Sequence, residues 1–371
     1  MNAATCLGFF GLALLACASC STSDPPAGDA LPADDAAVIE DGPEPGDDGP
    51  DASEDSPVEA EPPDASQGDG ETSDAKQRVC AEHHLVGGYN SDHTFVPPSC
   101  FQMGSPEGEY GRDPVGEAQV ETWLDHGFGI QIQEVTRADW QAQGLALPVV
   151  EPAEGEPEVC TDPQCPVTAV TWFEALFYAN KASGNNPCYE LADCVGEPGT
   201  GMTCGSVTLT RASVFECTGP RLPTSAEWEH AARGWTETAY YTGDITPPEG
   251  GVGCTAQAAL EPAGWYCANA GAPPITHAIK TKDFSPFWLY DILGNAAEWV
   301  SDDYVAGGYG PGPVSDPGGQ VSASGPGQVR GGHAASHATE CRAAARQQLP
   351  KSARHSGVGL RLAWTITPIF Q

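Results

Sequence analysis

Three segments combine a capping pattern with apolar residues on one face, which predicts three short helices. Thr171–Glu174 forms a capping box ahead of apolar residues at helical spacing, and this helix should end near Gly184. Thr224–Glu227 repeats the box, with Gly234 placed as the stop. Thr136–Asp139 is a third capping pattern. The helical content should therefore be small.

Apolar and polar residues alternate in other segments, as in a half-buried strand. The alternation occurs at Ile130 and Ile132, at Val207 and Leu209, and along Val358–Leu362. The chain also contains 44 Gly and 34 Pro, so long loops should join the short elements. The order of elements does not follow a strand–helix–strand alternation. The pattern predicts a loop-rich α+β domain supported partly by disulfides.

The first twenty residues are apolar and small, and they are too few for a comfortable membrane span. We interpret residues 1–20 as an export signal. Leu14–Cys17 resembles a lipobox, so Cys17 is the expected lipidation site, with Cys20 as a second acceptor. A plain secretory signal is the alternative. Lipidation would anchor the protein to a membrane of the cell envelope, facing the periplasm or the exterior.

Residues 21–78 contain 18 acidic residues against Lys76 and Arg78, in a background of Pro, Gly, Ala and Ser. Such a segment repels itself and has almost no apolar surface to bury, so it is predicted to be a disordered tether. The remaining residues, 79–371, are long enough for one domain with a sizeable core. The whole chain has a formal net charge of −35, which argues against a nucleic-acid partner.

Three of the 14 cysteines lie in the leader, and the other 11 should meet an oxidising compartment after export. The odd number leaves at least one thiol unpaired within the chain. No zinc-type CxxC pair occurs, so a metal cluster is the weaker interpretation. The connectivity stays open at this point. The near neighbours are Cys188 and Cys194, Cys254 and Cys267, and Cys160 and Cys165, the last two of which could also pair elsewhere.

Several motifs resemble, in order, those of the formylglycine-generating enzyme family, also called sulfatase-modifying factors. They span roughly residues 98–364 and include Phe101–Ser105, Glu134–Thr136, Pro166–Ala175, Arg221–Arg233, Leu289–Val300, Arg330–Gly332, Cys341–Arg346 and Gly359–Arg361. The insert Pro187–Cys217 resembles a cysteine-rich, exported bacterial subgroup. The resemblance implies a C-type-lectin-like fold. Most of the tryptophans and the Arg and Glu residues beside them are expected to be core and buried-pair positions.

The resemblance also implies a copper site, because active members hold Cu(I) with two cysteines after the Arg-Gly-Gly turn. In this chain the first of these two positions is occupied by Ser336 and the second by Cys341. The resemblance also implies a serine directly after the turn, and this chain has His333 there. His333, His337 and Cys341 recur every four residues, so a helix would place them near one face as a non-standard metal set. A disulfide at Cys341 is the alternative.

Calcium is the cofactor better supported by the resemblance. The family's calcium loop maps onto Asp291, Gly294, Ala296 and Glu298, and offers two hard carboxylate donors. The alternative is that Asp291 and Glu298 cap a turn and pair with an arginine.

Three functions follow from these motifs. The leading hypothesis is an envelope-anchored binding module without catalysis, whose ligand would be an envelope protein or a glycan. The second is a copper-dependent oxidase of peptidyl cysteine, as the family name implies. The third is a structural lipoprotein of an envelope assembly. The Ser336 and Cys341 pair separates the second from the others.

Overall fold

The computed structural model describes residues 91–249, 253–318 and 321–366. The predicted signal segment, with Cys17 and Cys20, and the predicted acidic tether lie outside the described residues. Among the described residues, no helix reaches the length and apolar content needed to cross a bilayer.

The described residues form four small sheets. The first has the order β1-β4-β12, the second β2-β3-β8, the third β10-β9-β7-β11, and the fourth is the hairpin β5-β6. Pairing is antiparallel except for β3 with β8 and β7 with β11. The bounds are β1 His93–Val96, β2 Ser99–Met103, β3 Val120–Leu124, β4 Gly127–Gln131, β5 Tyr189–Val195, β6 Thr203–Leu209, β7 Ala297–Trp299, β8 Val314–Ser315, β9 Gly327–Arg330, β10 Gln347–Leu349, β11 Val358–Gly359 and β12 Ala363–Ile366.

All three predicted helices are confirmed. They are α1 Arg137–Ala142, α2 Trp172–Ala182 and α3 Ser225–Arg233, and each begins with a reciprocal capping box. Gly234 ends α3 with φ 55°, the left-handed conformation that an L side chain rarely adopts. Two 3₁₀ turns, Val214–Glu216 and Ala338–Cys341, complete the helical segments of the described chain.

The predicted closing strand is only partly right, because β11 stops at Gly359 and β12 begins at Ala363. The Arg361 guanidinium turns inward between them and donates to the Gln131 and Tyr290 carbonyls, both at 2.9 Å. β11 pairs with β7 and β12 pairs with β4, so the two segments belong to different sheets. The predicted strand is therefore divided at the point where the chain passes from one sheet to the other.

Four disulfides form among the described residues: Cys160–Cys165, Cys188–Cys217, Cys194–Cys204 and Cys254–Cys267. Two of the near-neighbour pairs are confirmed, but Cys188 and Cys194 bond to other partners. The hairpin β5-β6 explains the difference, because its register places Cys194 directly opposite Cys204. Cys100 is also disulfide-bonded. These bonds fit a protein that folds outside the cytoplasm.

The core has two apolar clusters. One contains Trp228, Tyr240, Phe287, Leu293 and Cys341. The other is built around Trp140, Trp172, Trp299 and Leu360. Four tryptophans and four arginines are among the largest fully buried side chains, which confirms the expectation of core and buried-pair positions. The domain is a mixed, sheet-rich α+β fold with abundant loops.

Candidate functional site

The candidate site is built on the Arg-Gly-Gly turn that follows β9. Gly331 and Gly332 have φ of 91° and 69°, so both occupy the left-handed region. A side chain at Gly332 would come within 2.7 Å of the Cys341 sulfur. The Gly331 carbonyl accepts from the Gly294 amide at 2.8 Å, which ties this turn to the predicted calcium loop. Glycine is required here because the backbone passes directly over the thiol.

Cys341 is the one free cysteine of the described residues. It ends the 3₁₀ turn Ala338–Cys341 and is fully buried in the apolar cluster around Trp228. Burial, and to a smaller extent the nearby Glu340 carboxylate, raise the pKa of this thiol well above its ordinary value. The thiol is therefore protonated at neutral pH. A thiolate, the form that binds copper or acts as a nucleophile, is strongly disfavoured.

Ser336 is buried and its groups are engaged within the turn. Its hydroxyl accepts from the His333 amide at 3.1 Å, and its own amide donates to the His333 carbonyl at 2.8 Å. The Ser336 carbonyl accepts from the Cys267 amide at 3.0 Å. At the position where the resemblance implies a first copper ligand, this chain therefore has a side chain that stabilises the turn.

His333 and His337 do not converge on Cys341. Residues 333–336 form a turn rather than an α-helix, so the one-face arrangement of the three side chains does not arise. His333 packs against His355 with ring centroids 4.8 Å apart, and burial lowers the pKa of His333 to about 3. His337 directly precedes the 3₁₀ turn, and its amide donates to the Glu340 carboxylate at 2.9 Å. In the part of the chain that the structure describes, no group of three or more His, Cys, Asp or Glu side chains could hold a metal ion.

Of the predicted calcium residues, Glu298 is already paired. Its Oε1 accepts from Arg361 Nε at 2.9 Å, and its Oε2 accepts from Trp228 Nε1 at 2.7 Å. Gly294 has φ 82°, and a Cβ there would meet the Trp265 carbonyl at 2.2 Å. The proposed alternative, a carboxylate that pairs with an arginine, describes Glu298 well.

Asp291 is different, because only one of its oxygens has a partner. Oδ2 accepts from the Lys280 amide at 2.7 Å, whereas the buried Oδ1 has no hydrogen-bond partner. Burial raises the pKa of Asp291 to about 6, and the negative charge of Glu298 adds to the increase. A buried carboxylate oxygen without a donor is the kind of hard ligand that calcium prefers. Of the two predicted carboxylate ligands, only Asp291 offers such an oxygen, because both oxygens of Glu298 accept hydrogen bonds.

Glu134 is a third buried carboxylate beside this loop, and it was not predicted as a site residue. It accepts from the Ala296 amide and from Asn295 Nδ2, both at 3.1 Å. Burial, and then the charge of Asp291, raise its pKa well above the ordinary value. Glu134, Asp291 and Glu298 thus lie near one guanidinium, that of Arg361, and the local charge is negative unless protons or a cation offset it.

The frame around the site is held by buried charge pairs. Glu229 binds Arg233 at 2.9 Å and Arg330 at 2.5 Å. Arg221 donates to both oxygens of Glu227 at 2.7 and 2.8 Å. Each of these side chains is at most 3% exposed, so every charge has its partner where water is excluded.

His126 extends this network of buried charges, because it pairs with Glu227 of α3 and with Asp316. His126 lies 2.8 Å from both Glu227 and Asp316. Burial alone would lower its pKa, but the hydrogen bonds to the two carboxylates outweigh burial and raise the pKa to about 9. At neutral pH His126 is therefore a cation between two anions.

Two neighbouring pockets, which share Tyr110 and Ile245, lie on the side of the 3₁₀ turn, and we call them together the groove. The larger has a volume of about 330 Å³ and also includes Glu109 and Asp244. The smaller, of about 10 Å³, is the one that reaches His337 and the start of the turn. The wide part of the groove is thus separated from the buried Cys341 thiol.

Comparison with known proteins fits this architecture. The family described as "Sulfatase-modifying factor enzyme 1-like domain" matches residues 86–366. The formylglycine-generating enzyme of Streptomyces coelicolor is 32% identical over 290 residues, which cover 72% of this chain and 87% of that one. The chaperone protein LppX of Paenibacillus barcinonensis is 27% identical over 154 residues, 36% of this chain, and the chain spans only half of its length.

Two solved structures share the fold. Treponema denticola variable protein 1 has a TM-score of 0.56 and 28% identity, with 73% of this chain and 94% of that chain covered. PvdO from Pseudomonas aeruginosa has a TM-score of 0.54 and 21% identity, with 74% and 94% covered, which is a likeness in fold alone. The family match and the ordered motifs lead to one conclusion: this chain belongs to the sulfatase-modifying factor family.

Proposed function

We propose that this protein is an exported binding module built on the formylglycine-generating fold, and that it does not oxidise cysteine by a copper mechanism. The observation that carries the proposal is the state of Cys341. Its thiol is fully buried, its pKa is raised, and Ser336 stands where a second thiol would be required.

The chemistry of the ligands explains why one substitution is decisive. Cu(I) is a soft ion that prefers thiolates, whereas the hydroxyl of Ser336 is a hard and neutral ligand. That hydroxyl already accepts a hydrogen bond from the His333 amide. A single protonated thiol would hold copper weakly and leave it open to competing donors. The buried imidazole of His333 packs on His355 and offers no replacement in this conformation.

Two observations support a binding role. The groove has a pocket of about 330 Å³ beside Tyr110 and Ile245, and a smaller pocket of about 10 Å³ extends from it to His337. One relative that covers 36% of this chain is named a chaperone, a class of protein that acts by binding others. The proposal for this chain is that the groove receives a segment of an envelope protein.

We also propose that Cys17, or failing that Cys20, carries lipid and that residues 21–78 lift the domain off the membrane. Two acyl chains anchor a protein stably, whereas one chain gives only marginal binding. Labelling with a clickable palmitate should mark the wild type, and Cys17→Ala together with Cys20→Ala should release it from the membrane. Unlabelled and freely released wild type would contradict the anchor.

Calcium is proposed as the cofactor of the loop around Asp291. Asp291 Oδ1 would supply a free carboxylate oxygen, and the family pattern adds the carbonyls of Gly294 and Ala296 and a carboxylate oxygen of Glu298. When bound, the ion would neutralise part of the excess negative charge of the three buried carboxylates. Its role would be structural.

The proposed function is tested by an oxidation assay on the mature, full-length protein. The protein is loaded with Cu(I) and mixed with a sulfatase-derived peptide that contains the target cysteine, and mass spectrometry follows conversion of the thiol to the aldehyde. The Streptomyces coelicolor enzyme serves as the positive control. We expect no turnover above the copper-only background. Turnover that Cys341→Ala abolishes would overturn the proposal in favour of an oxidase.

A further inference from the structure

The wider pocket of the groove has an acidic lining. It has a volume of about 330 Å³, and two carboxylates, those of Glu109 and Asp244, are among the groups around it. None of the described residues that line it is a lysine, an arginine or a histidine. We call it the Glu109 pocket. Its volume is at the lower end of the range of about 300–1,000 Å³ for ligand sites, so it suits a single side chain better than a folded surface.

Glu109 is the buried carboxylate of this pocket, with a side chain only 4% exposed. Its Oε1 accepts from Arg342 Nη1 at 2.6 Å, whereas its buried Oε2 has no hydrogen-bond partner. A buried carboxylate oxygen without a donor costs free energy, and a donor that reaches the oxygen removes that cost. Glu109 thus has an acceptor that the described residues leave unused.

The guanidinium beside Glu109 does not neutralise it fully, because the same group serves two carboxylates. Arg342 also donates to Glu117, at 2.7 Å to Oε2 and at 3.0 Å to Oε1. One positive charge is therefore shared by two negative charges. Burial raises the pKa of Glu109, as expected for a carboxylate whose charge is incompletely compensated. A further cation at Glu109 would balance this group.

Asp244 provides the second carboxylate, at the exposed end of the pocket. No described lysine or arginine forms an ion pair with it. Two more exposed carboxylates, those of Glu107 and Glu249, lie in the two chain segments that form the pocket. The net charge of the whole chain, −35, acts in the same direction. The charges around the pocket therefore attract a cation and repel an anion.

The rest of the wall is apolar and suits the hydrocarbon part of a cationic side chain. It includes Pro106, Tyr110, Ile245 and Pro247. A lysine has a flexible hydrocarbon stem that packs on such residues and a compact ammonium at its end. An arginine binds a carboxylate best through two parallel hydrogen bonds, and Glu109 has only one oxygen free. The wall and the single free oxygen therefore favour an ammonium over a guanidinium.

We propose that the Glu109 pocket binds the side-chain ammonium of a lysine in the protein segment that the groove receives. The ammonium bonds to the free oxygen of Glu109, Asp244 faces it from the exposed end, and the stem packs on Tyr110 and Pro247. This deepens the proposed binding function and rests on it, because it names the residue type by which the groove recognises the segment.

The test is a binding titration of the mature, full-length protein followed by ligand-observed NMR. The probe is the peptide acetyl-Gly-Ala-Lys-Ala-Gly-amide, for which we expect saturable binding. The same peptide with Nε-acetyl-lysine at the centre has lost the charge and should bind about tenfold more weakly. The peptide with a central arginine should also bind more weakly. So should n-butylamine, because it presents an ammonium without a peptide backbone.

Two variants test the two carboxylates. Glu109→Gln keeps an oxygen for Arg342 but removes the negative charge, so it should weaken binding of the lysine peptide about tenfold. Asp244→Asn, at an exposed position, should weaken binding about threefold and leave folding unchanged. Asp193→Asn is the matched control, because Asp193 is an exposed aspartate of β5 that does not line the pocket. It should leave the affinity unchanged.

Lack of saturable binding of the lysine peptide, or equal binding of its acetylated form, would overturn the site. Tighter binding of the arginine peptide or of n-butylamine would overturn the choice of a lysine in a protein segment. Wild-type affinity in a folded Glu109→Gln protein would also contradict the proposal. If that variant fails to fold, Asp244→Asn decides in the same way. None of these results bears on the oxidation assay, so failure here is distinguishable from failure of the proposed function.

Discussion

The charged frame and the thiol turn are two regions that carry family motifs, and they differ sharply in chemistry. In the frame, Glu229 and Glu227 are fully paired with buried arginines at 2.5–2.9 Å. In the turn, Cys341 is a lone neutral thiol, and the Ser336 hydroxyl accepts a hydrogen bond from the nearby His333 amide. The frame supports the fold, whereas copper chemistry depends on the turn. The proposed loss of the family's reaction would therefore leave the paired frame, and with it the fold, intact.

The first prediction breaks the frame. Glu229→Gln should lower the free energy of unfolding by about 3–5 kcal/mol, because it leaves the buried charges of Arg233 and Arg330 without their anion. Urea unfolding followed by tryptophan fluorescence measures this change. Arg211→Gln, at an exposed arginine, should change stability by less than about 0.5 kcal/mol. Equal effects of the two variants would mean that the buried pairs do not support the fold.

The second prediction concerns pH. Because the folded-state pKa of His126 is raised from 6.5 to about 9, its stabilising contribution is fully present below pH 6.5. It is lost as the pH rises through about 9. The contribution is on the order of 3 kcal/mol at most. His126→Gln should flatten the decrease in stability between pH 6.5 and 9.5, measured by urea unfolding. An unchanged slope would show that His126 is not the group responsible.

The third prediction sharpens the carboxylate side of the comparison. The raised pKa of Asp291 means that the folded state binds the extra proton, so stability should fall as pH rises from about 4 to about 6. Without calcium at pH 7, Asp291→Asn should stabilise the protein by about 1–2 kcal/mol. The asparagine side chain keeps an oxygen that can accept the hydrogen bond from the Lys280 amide. Millimolar calcium should raise the melting temperature of the wild type only.

This variant is preferable to a change at Glu298, which would also leave Arg361 without its anion. A calcium response as large in Asp291→Asn as in the wild type would contradict the proposed site. The same measurement at pH 4 provides a control, because a protonated Asp291 should make the two proteins nearly equal in stability.

The fourth prediction gives the smallest effect and lies in the thiol turn. Ser336→Ala removes one hydrogen bond to the His333 amide and should cost about 1 kcal/mol. Ser225→Ala, at another buried serine, provides a comparison at the start of α3. If Ser336→Ala cost as much as Glu229→Gln, the turn would be part of the frame and the contrast between the two regions would fail.

The local features were predictable because their causes are local. The capping boxes at Thr136, Thr171 and Thr224 lie within four residues of sequence, and each begins a helix. The left-handed stop at Gly234 follows from its missing side chain. The order of the motifs along the chain identified the family, and membership of the family predicted the fold. These parts of the structure needed no knowledge of distant contacts.

The remaining features depend on contacts between distant segments. Glu134 meets Ala296 across 162 residues, and nothing in the residues around it shows that a carboxylate will be buried there. The helical spacing of His333, His337 and Cys341 failed because left-handed Gly331 and Gly332 lead into a turn. The sequence feature that could have indicated a turn here is the pair Gly331 and Gly332 itself. Cysteine pairing likewise depended on the register of β5 with β6.

The central claim, that the turn lacks a copper site, is tested most directly by a Cu(I) competition titration against a chromogenic chelator. The titration is combined with a thiol count on the native and denatured protein. For the wild type we predict no copper retained against the chelator and a thiol at Cys341 that reacts only after denaturation. Ser336→Cys, which restores the second ligand implied by the family, should retain more copper. Stoichiometric copper in the wild type that Cys341→Ala removes would contradict the account.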